Sequence, residues 1–188
     1  MSIAEPLRTL TAEDLADRPD DGVERDLIRG ELRERPMTRR NSEHSGVESR
    51  VAYLLTDWIL RSPRPHGRVH SGEVGFRLVR DPETFVGIDV AYVSPEQAAG
   101  HDRRWKFYEG PPVLAVEILS PSDGHGDVVE KVRLYLEVGT VAWLVDPDLK
   151  TVTVLRPDAE PVMFNVGQGL AGEPDLPGFR TPVAALFA

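Results

Sequence analysis

Two acidic residues each interrupt an otherwise apolar run. In Val86-Gly-Ile-Asp-Val-Ala-Tyr-Val93 the charge is Asp89, and in Pro112-Val-Leu-Ala-Val-Glu-Ile-Leu119 it is Glu117. Runs this continuous read as central strands covered on both faces. A carboxylate buried in such a strand is costly unless a cation or several donors compensate it. Side chains alternate along a strand, so Asp89 shares a face with Ala91 and Val93, and Glu117 with Val113 and Ala115. These small and β-branched neighbours leave space beside each carboxylate. If the strands are adjacent, the two acids converge on a pocket suited to a hard divalent cation such as Mg²⁺, bound through oxygen at about 2.0–2.1 Å. The same spacing also fits two unrelated acids, one at a strand end and one paired with an arginine.

Other chemistries find little support. The chain has no cysteine, which excludes disulfides, thiolate zinc sites, iron–sulfur clusters and thiol nucleophiles. A phosphate-binding P-loop needs Gly-Lys, and the three lysines, Lys106, Lys131 and Lys150, follow Trp105, Glu130 and Leu149. Gly167-Gln-Gly169-Leu-Ala-Gly172 has the letters of a dinucleotide motif, but Pro174 and Pro177 leave no room for the helix it requires. Gly124-His-Gly126 has Val129 at the third glycine position and reads as a turn opening a helix, with Asp127 near the helix dipole. The histidines lack His-Glu-x-x-His spacing, and no Gly-x-Ser-x-Gly elbow is present.

The elements that must carry the two acids follow from periodicity and punctuation. Thr11 caps a short helix that closes before Pro19–Gly22, and Val23–Arg35 reads as a β-hairpin turning at Arg29-Gly30. Asn41-Ser42 caps a helix from about Glu43 to Arg61, with an apolar stripe of Val47, Val51, Leu54, Leu55 and Trp58 ended by Pro63 and Pro65. Two strands are expected near Arg68–Ser71 and Glu73–Val79, then the strands of Asp89 and Glu117. A helix from about Asp127 to Val138 stops at Gly139 and places Val128, Lys131 and Tyr135 on one stripe. Strands at Val141–Val145, Thr151–Leu155 and Val162–Val166 precede a Pro/Gly-rich tail. The 188 residues, 40% hydrophobic and 28% charged, suit a single folded α/β domain over 1–188, with a central mixed sheet flanked by helices. No apolar run reaches the roughly 18–20 residues of a membrane span, and the N-terminus lacks a secretory pattern, so a cytoplasmic protein is expected. The formal charge of −9 argues against the basic footprint of a sequence-specific DNA binder, though not against a nuclease whose metal ions screen phosphate.

Asp89, followed by Gly110-Pro-Pro-Val-Leu-Ala-Val-Glu117-Ile-Leu-Ser-Pro-Ser122, resembles the PD-(D/E)XK nuclease superfamily, and more narrowly its Uma-type restriction endonuclease family. Supporting matches run from about Thr11 to Leu186: Leu27-Ile-Arg-Gly30-Glu-Leu32, the helix-opening His44, Lys131-Val-Arg-Leu-Tyr135, and Trp143-Leu-Val-Asp-Pro147. Ile88 stands where the family usually has proline, and Asp26 where its hairpin usually has glutamate. Leu119 occupies the place of the superfamily's Glu-x-Lys lysine; in the Uma-type family a lysine of the following helix replaces it, and Lys131 matches that position.

The resemblance implies a restriction-endonuclease-like fold and Mg²⁺- or Mn²⁺-dependent hydrolysis of DNA phosphodiesters. Asp89 and Glu117 would hold metal, and Lys131 would orient or help deprotonate water and stabilise the developing charge. Glu48, one turn after His44, is the candidate helix acid of the metal site, against a solvated helix face. His44 contacts metal or substrate, or serves structurally. A homodimer is expected by analogy with nucleases that cut two strands. The competing expectations are a non-catalytic interaction or regulatory module on the same fold, which the acidic charge favours, and a metal-dependent hydrolase of another substrate.

Overall fold

The structure, a computed structural model, describes residues 10–19, 21–36, 42–63, 66–102, 104–120 and 124–188. The expected cap at Asn41, the stop at Pro65 and the Pro-Ser end of the Glu117 motif lie outside these residues.

Thr11 caps α1 (Ala12–Ala16): its hydroxyl accepts the Asp14 N–H while the Asp14 carboxylate accepts the Thr11 N–H, a reciprocal capping box. The hairpin of β1 (Val23–Ile28) and β2 (Glu31–Pro36) turns on Arg29 and Gly30, both at positive φ as a two-residue hairpin turn requires. Helix α2 (Ser42–Arg61) buries His44, Val47, Val51, Leu55 and Ile59. The two strands expected after it are one, β3 (Arg68–Arg80). Its register against β4 (Glu83–Val93) jumps between Ser71↔Val90 and Val74↔Ile88, with Gly72 and Glu73 at positive φ. The glycine that interrupts the alternation therefore marks a bulge inside one strand. Helix α3 (Pro95–Gly100), capped by Ser94, and β5 (Tyr108–Glu109) were not legible, since one buried residue and two paired residues make no periodicity. β6 (Leu114–Ile118) is buried throughout. Helix α4 (His125–Glu137) precedes β7 (Val141–Asp146), β8 (Thr151–Arg156) and β9 (Ala159–Asn165). The tail adds a small ladder, β10 (Gly169–Ala171) with β11 (Arg180–Pro182), and a 3₁₀ helix at Val183–Phe187. Gly167–Gly172 thus falls in a turn and a strand, with no helix after it.

The main sheet runs β2-β1-β4-β6-β7-β8-β9, with β3 on β4 and β5 on β3. It is mixed: β6–β7 and β3–β5 are parallel and the other pairs antiparallel. Alternation along the central strands separates two cores. Val90, Val116, Trp143 and Val145 pack with Val47, Val51 and Leu55 of α2 and with Val183 and Leu186. The intervening residues Ala91, Ala115 and Ala142 pair in register across three strands and lie in one cluster with Leu134 and Tyr135 of α4. A row of methyl groups leaves space for α4 to sit low on the sheet, which brings its side chains within reach of the strand ends.

Enlarging that row should lift α4. Ala142→Leu is expected to cost about 1–3 kcal/mol by overpacking, read from urea unfolding midpoints. A change under about 0.5 kcal/mol would show that the helix does not rest on the alanine row.

Candidate active site

Strands β4 and β6 pair through Tyr92↔Leu114, Ala91↔Ala115 and Val90↔Val116, and the ladder stops there. The next residue on each strand is an acid, Asp89 on β4 and Glu117 on β6, so both carboxylates stand where the strands part. Asp89 Oδ2 accepts the Ile118 N–H at 2.8 Å, supplying the acceptor that a continuing ladder would have provided. Both acids are buried.

Helix α2 brings two more ligand-type side chains to Asp89. His44 Nε2 lies 3.4 Å from Asp89 Oδ2, and His44 Nδ1 lies 3.9 Å from Glu48 Oε2. One donor atom from each of His44, Glu48 and Asp89 falls within 4.8 Å of the others. The Glu48 side chain is only 12% exposed, so the solvated helix face allowed by its spacing is not its environment. His44 belongs to the buried stripe of α2, and Glu48 sits one turn on beside it, at the helix end that abuts the parted strands.

Helix α4 supplies the opposite charge. Lys131 Nζ donates to the Gly87 carbonyl at 2.8 Å and to both Glu117 oxygens, at 3.4 and 3.3 Å. The Tyr135 hydroxyl, one turn on, donates to Glu117 Oε1 at 2.5 Å. Lys131 is buried. Burial pushes the Glu117 carboxyl up to about 7, with Lys131 pulling it down and the Asp89 charge adding to the rise. Burial alone would lower Lys131, but the carboxylates of Glu117, Asp26, Glu73 and Asp89 outweigh it and raise the ammonium above its ordinary value. Burial also lifts Tyr135 well above its usual range, together with the Glu117 charge, so its hydroxyl remains a donor.

Two acids of this surround have separate supports. Asp26 Oδ1 accepts the Gly87 N–H at 3.1 Å, and its Oδ2 takes the Arg35 guanidinium at 2.7 Å. Glu73 projects from the β3 bulge over Gly87, where any Cβ would lie 2.4 Å from its carboxylate oxygen. A side chain at 87 would displace the Glu73 carboxylate from this position. Sequence reading named Asp26 only as a departure from a family pattern and missed Glu73, because no periodicity announces a side chain aimed by a bulge. The signal for Tyr135 was present in its i+4 relation to Lys131.

The arrangement can bind a hard cation on the His44–Glu48–Asp89 side, and Lys131 can donate to an oxyanion on the Glu117 side. Its architecture recurs in a solved structure. "Crystal structure of a putative nuclease belonging to DUF820 from Anabaena variabilis ATCC 29413" superposes with a TM-score of 0.78 at 20% identity, covering 95% of this chain and 97% of that one. The fold is therefore the restriction-endonuclease-like α/β class, a mixed central sheet flanked by helices. The family model of Uma2, described as "Putative restriction endonuclease", matches residues 11–184, and the chain belongs to that family. No curated protein matches it in sequence. Membership and fold together support a nuclease function. No helix among the described residues is long and apolar enough to cross a membrane.

The electrostatics make Lys131 the counter-ion of the site. Lys131→Met is expected to destabilise the metal-free protein by about 3–5 kcal/mol, because it strands buried carboxylates. Glu117→Gln, which keeps an oxygen for Lys131 and Tyr135, should cost much less. The double variant should fall at least about 1 kcal/mol short of the sum. Additive losses in urea unfolding would mean that the two side chains are energetically independent.

Proposed function

We propose that the protein is a divalent-metal-dependent endonuclease that hydrolyses DNA phosphodiester bonds, with Asp89, Glu117 and Lys131 at its centre. The observation that carries the reading is the meeting of two buried strand-end carboxylates with a helix histidine and acid on one side and a buried lysine on the other. The donor set fits the group: carboxylate oxygens from Asp89 and Glu48, with an imidazole nitrogen from His44, suit Mg²⁺ or Mn²⁺, and Glu117 completes the acidic wall. Asp89, Glu117 and Glu48 would hold the ion, with His44 beside them. When bound, a divalent cation supplies positive charge against the scissile phosphate and acidifies water.

The chain's own groups account for the remainder. Lys131, kept protonated by the acids around it, donates to the non-bridging oxygens as negative charge builds and fixes the direction of the attacking water. That favours charge stabilisation over proton abstraction as its role. Tyr135 and Lys131 together hold Glu117 in one orientation, and the Asp89–Ile118 bond does the same for the opposite acid. Two copies acting on two strands would account for double-strand cleavage, so a homodimer belongs to the same proposal. The charge of −9 favours a second reading, a non-cleaving interaction module on this fold.

Titration calorimetry of Mg²⁺ or Mn²⁺ is expected to show a binding heat, and the ion should raise the melting temperature as a native-state ligand. Asp89→Asn should abolish both, and equal binding by the variant removes Asp89 from the ligands.

Supercoiled plasmid with Mg²⁺ separates the two readings. Cleavage by the wild type and its loss in Glu117→Gln, with circular dichroism unchanged, is the expected result; metal binding without cleavage favours the module. Lys131→Ala should lower cleavage about 10²–10³-fold. A lysine at 119 shares the Glu117 face by strand alternation, so Leu119→Lys in the Lys131→Ala background should restore part of the activity. Full activity of Lys131→Ala alone would exclude the lysine from the mechanism.

A further inference from the structure

Between positions 101 and 108 the sequence reverses the charge balance of the chain. Three basic side chains face one acid there, interleaved with Trp105, Phe107 and Tyr108. In a protein of net charge −9 with three lysines in all, this segment has the composition that suits a polyanion carrying flat rings.

The fold sets two of these rings, Tyr108 and Trp105, in one aromatic group with Phe76 and His101. Phe76 and Tyr108 lie 5.3 Å apart at 16°, and His101 stacks on Tyr108 at 3.9 Å and 18°. Trp105 stands edge-on to His101 at 85° and is 50% exposed, unusual for a side chain with so much apolar area to hide. The Nδ1 atom of His101 is buried with no hydrogen-bond partner among the described residues. Burial and the Arg68 charge both lower the His70 and His101 imidazoles, which keeps the rings neutral at pH 7. Arg104 and Lys106 flank Trp105; at the surface Arg104 pairs with Asp102, and Lys106 pairs with Asp17 and donates to the Ala16 carbonyl. Exposed pairs of this kind are weak and yield readily to phosphate.

The stack is tied to the strand that borders the site. The Tyr108 hydroxyl and His70 Nε2 are 2.8 Å apart, and His70 pairs in register with Ala91, two residues along β4 from Asp89. Three residues further along β3, Glu73 lies over Gly87, whose carbonyl holds Lys131.

We infer that Trp105, backed by His101, is a stacking platform for an unpaired base of a nucleic-acid strand, with Arg104 and Lys106 against its phosphates. The ligand class rests on the nuclease reading of the Asp89–Glu117 site, whereas the platform is a separate surface. Its test is a binding measurement made without metal: anisotropy of an end-labelled twelve-residue oligothymidylate in chelator, so that nothing is cleaved. Trp105→Ala should weaken binding about five- to hundredfold, the range of one lost base stack, and Trp105→Phe should keep most of the affinity. An abasic strand of the same length should bind wild type and Trp105→Ala alike. Because Trp105 is half exposed, the variants should melt with the wild type.

Unchanged oligothymidylate affinity in Trp105→Ala overturns the platform. So does an equal loss on the abasic strand, which would place the contact on the backbone, and so does a wild type that does not bind. Plasmid cleavage by the wild type is scored separately. Cleavage with a silent Trp105→Ala sinks the platform alone, and Trp105-dependent binding without cleavage sinks the nuclease reading alone.

Discussion

Everything near the site depends on one constraint: two carboxylates are buried one residue beyond the last bridge of a central β-ladder. Burial costs each charge most of its hydration, so the protein must answer each with its own groups. Asp89 is answered by a backbone N–H freed where the strands part, and by His44 from α2. Glu117 is answered by an ammonium and a phenol from α4. The solution leaves the Glu117 carboxyl raised by its burial and the Lys131 ammonium held protonated by the acids around it. A cation or a phosphate oxygen arriving there meets groups already oriented, which is the electrostatic preorganisation that phosphoryl chemistry rewards.

Packing decides whether those answers arrive. Helix α4 reaches Glu117 because Ala91, Ala115 and Ala142 form a row beneath it, while the bulky alternate residues fill the opposite face under α2. The two helices thus approach the same strand ends from opposite sides of one sheet, α2 with His44 and Glu48 and α4 with Lys131 and Tyr135. Elsewhere a similar device works structurally. Buried Arg77 gathers Glu13, Glu83 and Glu109, tying α1 to β3, β4 and β5. There the cation is at the centre with the acids around it, and its charge is satisfied.

Much of this was legible in the chain. The hairpin turn at Arg29-Gly30, the capping box at Thr11, the α2 stripe and the stop at Gly139 are local signals, each set by backbone sterics or by hydrogen bonds within a few residues. Asp89 and Glu117 were conspicuous because charge is expensive within apolar runs. Lys131 stood out among three lysines by its place on the Val128–Tyr135 stripe. Less was readable where the determinant was not local. The Gly72 bulge looked like a gap between strands, α3 and β5 were too short to show a period, and the tail strands had no alternation.

Residue types and spacing by themselves determined which side chains were costly to bury and which elements carried them. That the acids stand together required the register of β4 against β6, a pairing of residues 22 to 26 positions apart that no local pattern encodes. Glu48 shows the division most clearly. Its sequence position fits a solvated helix face as well as a metal site, and only the seating of α2 against the parted strands buries it beside His44 and Asp89. Glu73 likewise owes its place to a positive-φ bulge and to the missing Cβ of Gly87 across the ladder. Local chemistry is written in neighbours along the chain, but the field at a site is summed over neighbours in space, and only the folded sheet selects them.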